Sequence, residues 1–296
     1  MLPIAQTILE RYQVRKTNKQ KLAFIDFLKT QLPELTVQES RFPKNRNLIL
    51  GNVETCKILL TAHYDTCIRM PIPNFIMPMN PLFSLLYSLL LVVPIFVISF
   101  LISRLPGMGD LFWVFYWFFV LYLLGIGPAN PHTVNDNTSG VITLLEIYGA
   151  MSEDQRQQVA IVFFDNEETG LIGSSRLRKQ YKKQLKNKLL INFDCVSDGD
   201  TILMAVSKKA RNLGLDLESH YSCSESKQLL IKKAEKVLYP SDQAGFDTAV
   251  AVAALHYKKG FGYYLGKIHT KRDTVLEEEN IRLLRDGTLA LVENWK

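Results

Sequence analysis

The sequence predicts an α/β fold: a mostly parallel, mixed sheet flanked by helices, interrupted by an apolar helical hairpin. Three observations carry this prediction. Short apolar runs alternate with helical segments of about 10–15 residues, the pattern of strands joined by crossover helices. Several of these runs end on Asp, Glu or His, the place where parallel strands open on a ligand crevice. Between two such runs the chain is almost free of charge, with no Asp, Glu, Lys or Arg from Met70 to Ser103 or from Leu111 to Pro131.

Taken in order, residues 3–32 carry Ile4, Ile8, Leu9 and then Leu22, Ile25, Phe27, Leu28 at near-helical spacing, which predicts one or two amphipathic helices. Short β-like runs follow at Leu35–Glu39, Asn47–Leu50 and Lys57–Ala62. Beyond the apolar insert, a helix is expected at about 138–152, a strand at Val159–Phe164, a helix at 170–185 and a strand at Leu189–Phe193. A strand at Ile202–Val206, a helix at Lys208–Ser219, strands at Ala251–His256 and Gly262–Leu265 and a closing helix from Glu278 to Trp295 complete the pattern.

The insert divides in two. Leu82–Ser103 would rise ~33 Å as a helix, enough for a ~30 Å hydrocarbon core. Pro94 is expected to kink it, which membrane helices tolerate. After the turn Arg104–Asp110, a second apolar segment at 111–128 holds four Phe, two Trp and two Tyr in Leu111–Ile126. Its length suits either a short span or a re-entrant, interfacial segment. The expected organisation is therefore a discontinuous globular domain, 1–66 and 131–296, with a membrane-associated hairpin at 67–130 (about 82–103 and 111–128). Both ends of a spanning hairpin return to one side, and the many Lys and Arg outside it favour the cytoplasmic side by the positive-inside bias.

Composition adds bounds. The 296 residues suit one large domain or two small ones, and the charge-rich remainder has the make-up of a globular protein. Cys56, Cys67, Cys195 and Cys223 form no C-x-x-C pair, which reads as free thiols in a reducing compartment. The first residues lack a basic region followed by an apolar one, so no secretory leader is expected. Much of the net charge of +6 lies in 176–188, seven basic residues without an acid. That run is a solvated helix face or one lying on anionic headgroups, and no recognition motif points to nucleic acid.

Five segments carry the chemistry. Ile58–Asp65 is an apolar run ending in His63-x-Asp65, where Asp65 can support the second nitrogen of a metal-bound His63. Asp136 lies in Asn135-Asp-Asn-Thr-Ser-Gly140 at the start of a helix, a position also suited to an N-cap. Glu167 and Glu168 follow the strand ending at Phe164, and adjacent carboxylates there are costly unless a cation sits between them or one stays protonated. Asp194 ends another strand, and His269 opens His269-Thr-Lys-Arg-Asp273-Thr.

This ordered set, with Ser241-Asp242, resembles the zinc aminopeptidases of metallopeptidase family 28 over residues 47–66 and 131–296. The resemblance implies the di-zinc exopeptidase (phosphorylase/aminopeptidase-like) fold and two zinc ions per chain. It implies that His63 and Asp194 bind one zinc, that Glu168 and His269 bind the other, and that Asp136 bridges them. Glu167 would be the general base and Asp65 the residue orienting His63. The substrate implied is a peptide with a free N-terminus, and the other partner is the lipid bilayer. Zinc takes His nitrogen and carboxylate oxygen at about 2.0–2.2 Å and keeps a position open for water in catalytic sites, although such donors also take cobalt or manganese. Gln243 departs from the His that relatives often carry after Ser-Asp, and the insert is a second departure. The alternatives are a related zinc amidohydrolase, a glutaminyl cyclase, or a non-catalytic membrane receptor that keeps a peptidase fold.

Overall fold

The computed structural model describes residues 1–122, 125 and 127–295. Ten α-helices are present among these residues: α1 (Pro3–Arg11), α2 (Asn18–Gln31), α3 (Pro81–Ser103), α4 (Phe112–Leu121), α5 (Ser139–Ala150), α6 (Glu153–Gln158), α7 (Ile172–Gln180), α8 (Lys208–Arg211), α9 (Leu217–His220) and α10 (Glu278–Glu293). The strands are β1 (Thr36–Ser40), β2 (Asn45–Leu50), β3 (Ile58–His63), β4 (Val159–Phe164), β5 (Leu189–Phe193), β6 (Thr201–Val206), β7 (Gln228–Lys233), β8 (Ala249–Lys258) and β9 (Gly262–Tyr264). They form one mixed sheet in the order β1-β2-β4-β3-β5-β8-β6-β7, with β9 paired to β8.

The centre of the sheet, β4-β3-β5-β8, is parallel, while β2 joins β4 and β6 joins β8 antiparallel. The carboxyl ends of β3, β4 and β5 therefore lie side by side, and His63, Asp165 and Asp194 emerge there together. Apolar residues on both faces of these strands explain why they read as unbroken hydrophobic runs. In β4, Val159, Ile161 and Phe163 face a core shared with α1, α2, α5 and α10, whereas Ala160, Val162 and Phe164 face a second core closed by Leu177 of α7. The mixed α/β architecture with a central sheet is the one expected from the sequence.

Local signals set several element ends. Thr17 and Gln20 form a reciprocal capping box at the start of α2, and Ser152 and Gln155 do the same for α6. Residues 208–219 form two short helices instead of one, because Gly214 takes φ 68 between α8 and α9. The helix expected at 170–185 ends at Gln180, and a separate short 3₁₀ turn follows at Gln184–Asn187. Strand β7 has no counterpart in the sequence reading: it is an edge strand with exposed Gln228, Lys232 and Lys233, and its alternation is too weak to announce it.

The insert leaves the domain after a backbone bridge between Ile68 and Ala129, where Arg69 N–H donates to Pro128 O at 2.8 Å. Helix α3 runs unbroken through Pro94 for 23 residues and is long and apolar enough to cross a membrane. Leu82, Leu85, Leu90 and Leu101 are exposed on it. It packs on α4 through edge-on contacts of Phe96 with Phe112 and Tyr116. Helix α4 has 10 residues; the expected continuation of this segment at 123, 124 and 126 lies outside the described residues. A hairpin capping the core of a soluble enzyme would bury these side chains, and here they face outward.

Candidate metal centre

His63 is buried at the carboxyl end of β3. Its Nε2 lies 3.3 Å from Asp136 Oδ1 and 3.4 Å from Asp194 Oδ1. His269 Nε2 lies 3.1 Å from the other oxygen of Asp136, Oδ2, and 3.4 Å from Glu168 Oε2. One carboxylate thus faces two imidazoles, one with each oxygen. Donor atoms of His63, Asp136 and Asp194 lie within 4.8 Å of one another, and so do those of Asp136, Glu168, His269 and Cys67. A third group of this size joins His63 to Glu167 and Glu168. Sequence and chain order separate His63 from Asp136; the fold does not.

The Asn135–Gly140 loop shows why those residue types occur there. Asn135 Oδ1 accepts from the backbone N–H groups of Ser197 and Asp198 at 2.8 and 3.0 Å. Asn137 donates to Phe193 O and accepts from Gly140 N–H, at 2.9 and 3.0 Å. Ser139 Oγ accepts from Val196 N–H at 3.1 Å. A Cβ at Gly140 would meet Phe193 O at 2.4 Å, so only glycine permits this approach. Asp273, from the last motif, closes the other side by accepting from the N–H groups of Asn135 and Asp136 at 2.6 and 3.0 Å. Asp136 is therefore clamped between two backbone segments, and its peptide to Asn137 is cis.

Asp65 touches both halves of the centre. His63 Nδ1 lies 3.0 Å from the Asp65 carbonyl oxygen and 3.6 Å from its carboxylate. The carboxylate itself accepts from the N–H groups of Glu167 and Glu168 at 3.0 and 3.3 Å. Asp65 thus holds the imidazole with its backbone and the Glu167–Glu168 turn with its side chain. His269 adopts a left-handed backbone, φ 62, which nothing in its motif announces.

Further residues enter the surroundings, and of these only Gln243 is marked by a motif. Arg15, fully buried between α1 and α2, donates through Nε to Tyr64 O at 2.5 Å and through Nη2 to Thr138 Oγ1 at 3.1 Å. It ties the N-terminal helices to both metal-facing segments, and burial brings its pKa down to about 10. Lys21 Nζ pairs with Asp165 at 2.5 Å, while Asp165 also accepts from Arg46 N–H at 2.9 Å. Tyr239 OH donates to Asp194 O at 3.0 Å. Gln243 accepts from Asn192 Nδ2 at 3.1 Å and donates to Tyr239 O at 2.7 Å, so it braces the Tyr239 loop. Only tertiary placement gives Arg15, Lys21 and Tyr239 their partners, and their local sequence carries no signal of it.

Charge in the centre is unbalanced. Burial, then the charges of Asp242, Asp194 and Asp65 acting against His63, push the Glu167 carboxyl well above its usual value. Burial together with Asp136 and Glu167 does the same to Glu168. Burial pushes Asp242 up to about 7. Burial opposes charge on His63, but Glu167, Asp136, Asp194 and Asp65 hold its pKa well above the usual imidazole range. Glu168 Oε1 and both carboxylate oxygens of Asp242 are buried without a hydrogen-bond partner. Crowded carboxylates with orphaned oxygens are what a divalent cation relieves, and the His and carboxylate donors fit zinc. A cavity of about 390 Å³ opens over them, with Asn74 and Ile76 of the insert and Tyr239 on its walls.

The fold is a mixed α/β sheet, and the His and carboxylate donors at its carboxyl edge suit a divalent metal. The profile of Peptidase family M28 matches residues 123–291, and the chain belongs to that family of zinc peptidases. Among curated protein sequences none matches the chain. Solved structures share its fold at low identity. The LapA aminopeptidase of Legionella pneumophila superposes with a TM-score of 0.58 at 12% identity, covering 98% of this chain and 68% of that one. A Zn-dependent exopeptidase from Parabacteroides distasonis gives 0.59 at 15% identity, covering 98% and 95%. Porphyromonas gingivalis glutaminyl cyclase gives 0.59 at 16% identity, covering 99% and 97%.

Proposed function

We propose that the chain is a membrane-anchored, di-zinc aminopeptidase that removes N-terminal residues from peptides, with its catalytic domain on the cytoplasmic side. The observation that carries this reading is Asp136, whose two oxygens face His63 and His269 at 3.3 and 3.1 Å. In this reading residues 1–66 and 131–296 form one catalytic domain and 67–130 its anchor. His63, Asp194 and Asp136 would hold one zinc, and Asp136, Glu168 and His269 the other. Zinc bound there supplies Lewis acidity, which polarises a scissile carbonyl and acidifies water.

Glu167 would take a proton from the attacking water at its carboxylate and deliver it to the leaving amine; burial and the neighbouring carboxylates raise its pKa, which favours its holding that proton between the two transfers. Asp65 keeps that carboxylate in place by gripping the backbone N–H groups of Glu167 and Glu168. The walls formed by Asn74, Ile76 and Tyr239 shield the reacting bond from bulk water on the insert side. Cyclisation of N-terminal glutamine is the second reading, favoured by the likeness to the Porphyromonas gingivalis cyclase. The test is to assay the detergent-purified chain on a panel of aminoacyl-arylamides and on a glutaminyl peptide. Arylamide hydrolysis lost in Glu167→Gln supports the aminopeptidase. Ammonia release from the glutaminyl peptide with no arylamide turnover supports the cyclase, and turnover of neither points to a non-catalytic receptor.

A further inference from the structure

A second cavity, of about 340 Å³, lies at the root of the insert, between residues 69–73 and Thr270, Lys271 and Arg272. Its lining holds three cations, Arg69, Lys271 and Arg272, and no acid. All three side chains are exposed, and none forms an ion pair with a described residue. Unpaired like charges around one hollow repel each other unless an anion sits among them.

The cavity is fixed at a particular height. Pro73 O accepts from Tyr87 OH at 2.8 Å. Tyr87 lies in the second turn of α3, so this bond ties Pro73 to the first turns of the helix. Arg69 N–H bonds to Pro128 O where the insert returns, and Met70 N–H bonds to His269 O at 2.8 Å. The three cations therefore sit beside the foot of the apolar helix, where headgroup phosphates lie if α3 crosses a bilayer. Guanidinium and ammonium groups at that depth suit a phosphate oxyanion, with Arg able to engage it bidentately.

We propose that Arg69, Lys271 and Arg272 form a binding site for the phosphate of an anionic phospholipid headgroup. This rests on the reading of α3 as a membrane helix. Through Met70 and His269 the bound lipid sits next to the metal centre's backbone, so it fixes the mouth of the catalytic cavity against the bilayer.

The test uses the full chain and the triple variant Arg69→Gln, Lys271→Gln, Arg272→Gln. Both are expressed in membranes, washed with alkaline carbonate, then purified in a neutral detergent and titrated with dioctanoyl phosphatidylglycerol, dioctanoyl phosphatidylcholine or inorganic phosphate. Binding is read by native mass spectrometry. Each basic side chain near an anionic surface contributes on the order of fivefold, so the triple variant is expected to bind phosphatidylglycerol about a hundredfold more weakly. A control variant, Lys208→Gln, Lys232→Gln, Lys233→Gln, at exposed lysines away from the cavity lining, is expected to bind as the wild type does. Equal binding of phosphatidylglycerol by wild type and triple variant overturns the site, as does equal affinity for phosphatidylcholine. Inorganic phosphate binding as tightly as the lipid overturns the headgroup assignment in favour of a free anion. Loss of the wild-type chain in the carbonate wash overturns the membrane reading and the proposal with it; retention with no lipid selectivity overturns the proposal alone.

Discussion

At the carboxyl edge of the sheet, Asn135, Asn137 and Ser139 each bond to the backbone of 193–198, and Asp65 and Asp273 grip the neighbouring loops. In α3, by contrast, Leu82, Leu85, Leu90 and Leu101 point outward and meet little of the protein. The first region is specified atom by atom, so that one carboxylate meets two histidines. The second is specified by length and hydropathy, and the rest of the fold covers little of its outer surface. The two regions are therefore expected to tolerate change differently: substitutions at the edge act through geometry, and substitutions in the hairpin, under the proposal that α3 spans a bilayer, act through location.

The largest effect that sharpens this contrast is on chemistry. Glu167→Gln keeps the shape of the turn and removes the proton carrier, so kcat should fall by about 10²–10⁴ while bound metal is unchanged. Loss of metal alongside activity would show a ligand role instead. Phe163→Ala, within the buried face of β4, should lower the unfolding free energy by about 3–5 kcal/mol in denaturant titrations in detergent. Asp65→Asn leaves a weaker acceptor for the N–H groups of Glu167 and Glu168, and metal affinity or activity should drop about 10–100-fold.

Excision tests the other side of the comparison. Residues 81–127 replaced by a flexible Gly/Ser linker should move the chain to the soluble fraction, with zinc content kept and small-arylamide turnover within a few-fold. The bridge between Ile68 and Ala129 keeps both ends together without the hairpin. Collapse of metal binding in this variant would show that the hairpin organises the centre. The smallest effect belongs to Leu90→Ala, on the outer surface of α3, where stability in detergent should change by no more than about 0.5 kcal/mol.

The strands that build the site were legible because their apolar runs are unbroken: Val159–Phe164 and Leu189–Phe193 occupy the predicted positions. The convergence of His63, Asp136, Glu168, Asp194 and His269 was implied by the resemblance of their ordered motifs to the zinc aminopeptidases of metallopeptidase family 28, whereas the residues alone placed only His63 and Asp194 at the carboxyl ends of strands. Edge strand β7 was not legible, because one exposed side and two terminal lysines blur its alternation. Nor were the partners of Arg15 and Lys21, since a buried cation in an N-terminal helix region looks like any solvated one until the fold covers it. The nearness of Cys67 to Glu168 and His269 is of the same kind: an isolated cysteine gained neighbours through tertiary structure alone.

The central claim, that one carboxylate joins two metal sites, is tested most directly by counting zinc. The full chain, purified in detergent, saturated with zinc and freed of excess, should retain two zinc ions per chain by elemental analysis, and Asp136→Ala should retain fewer than one. A wild-type chain that holds a single zinc, or an Asp136→Ala variant that holds as much as the wild type, would contradict the account.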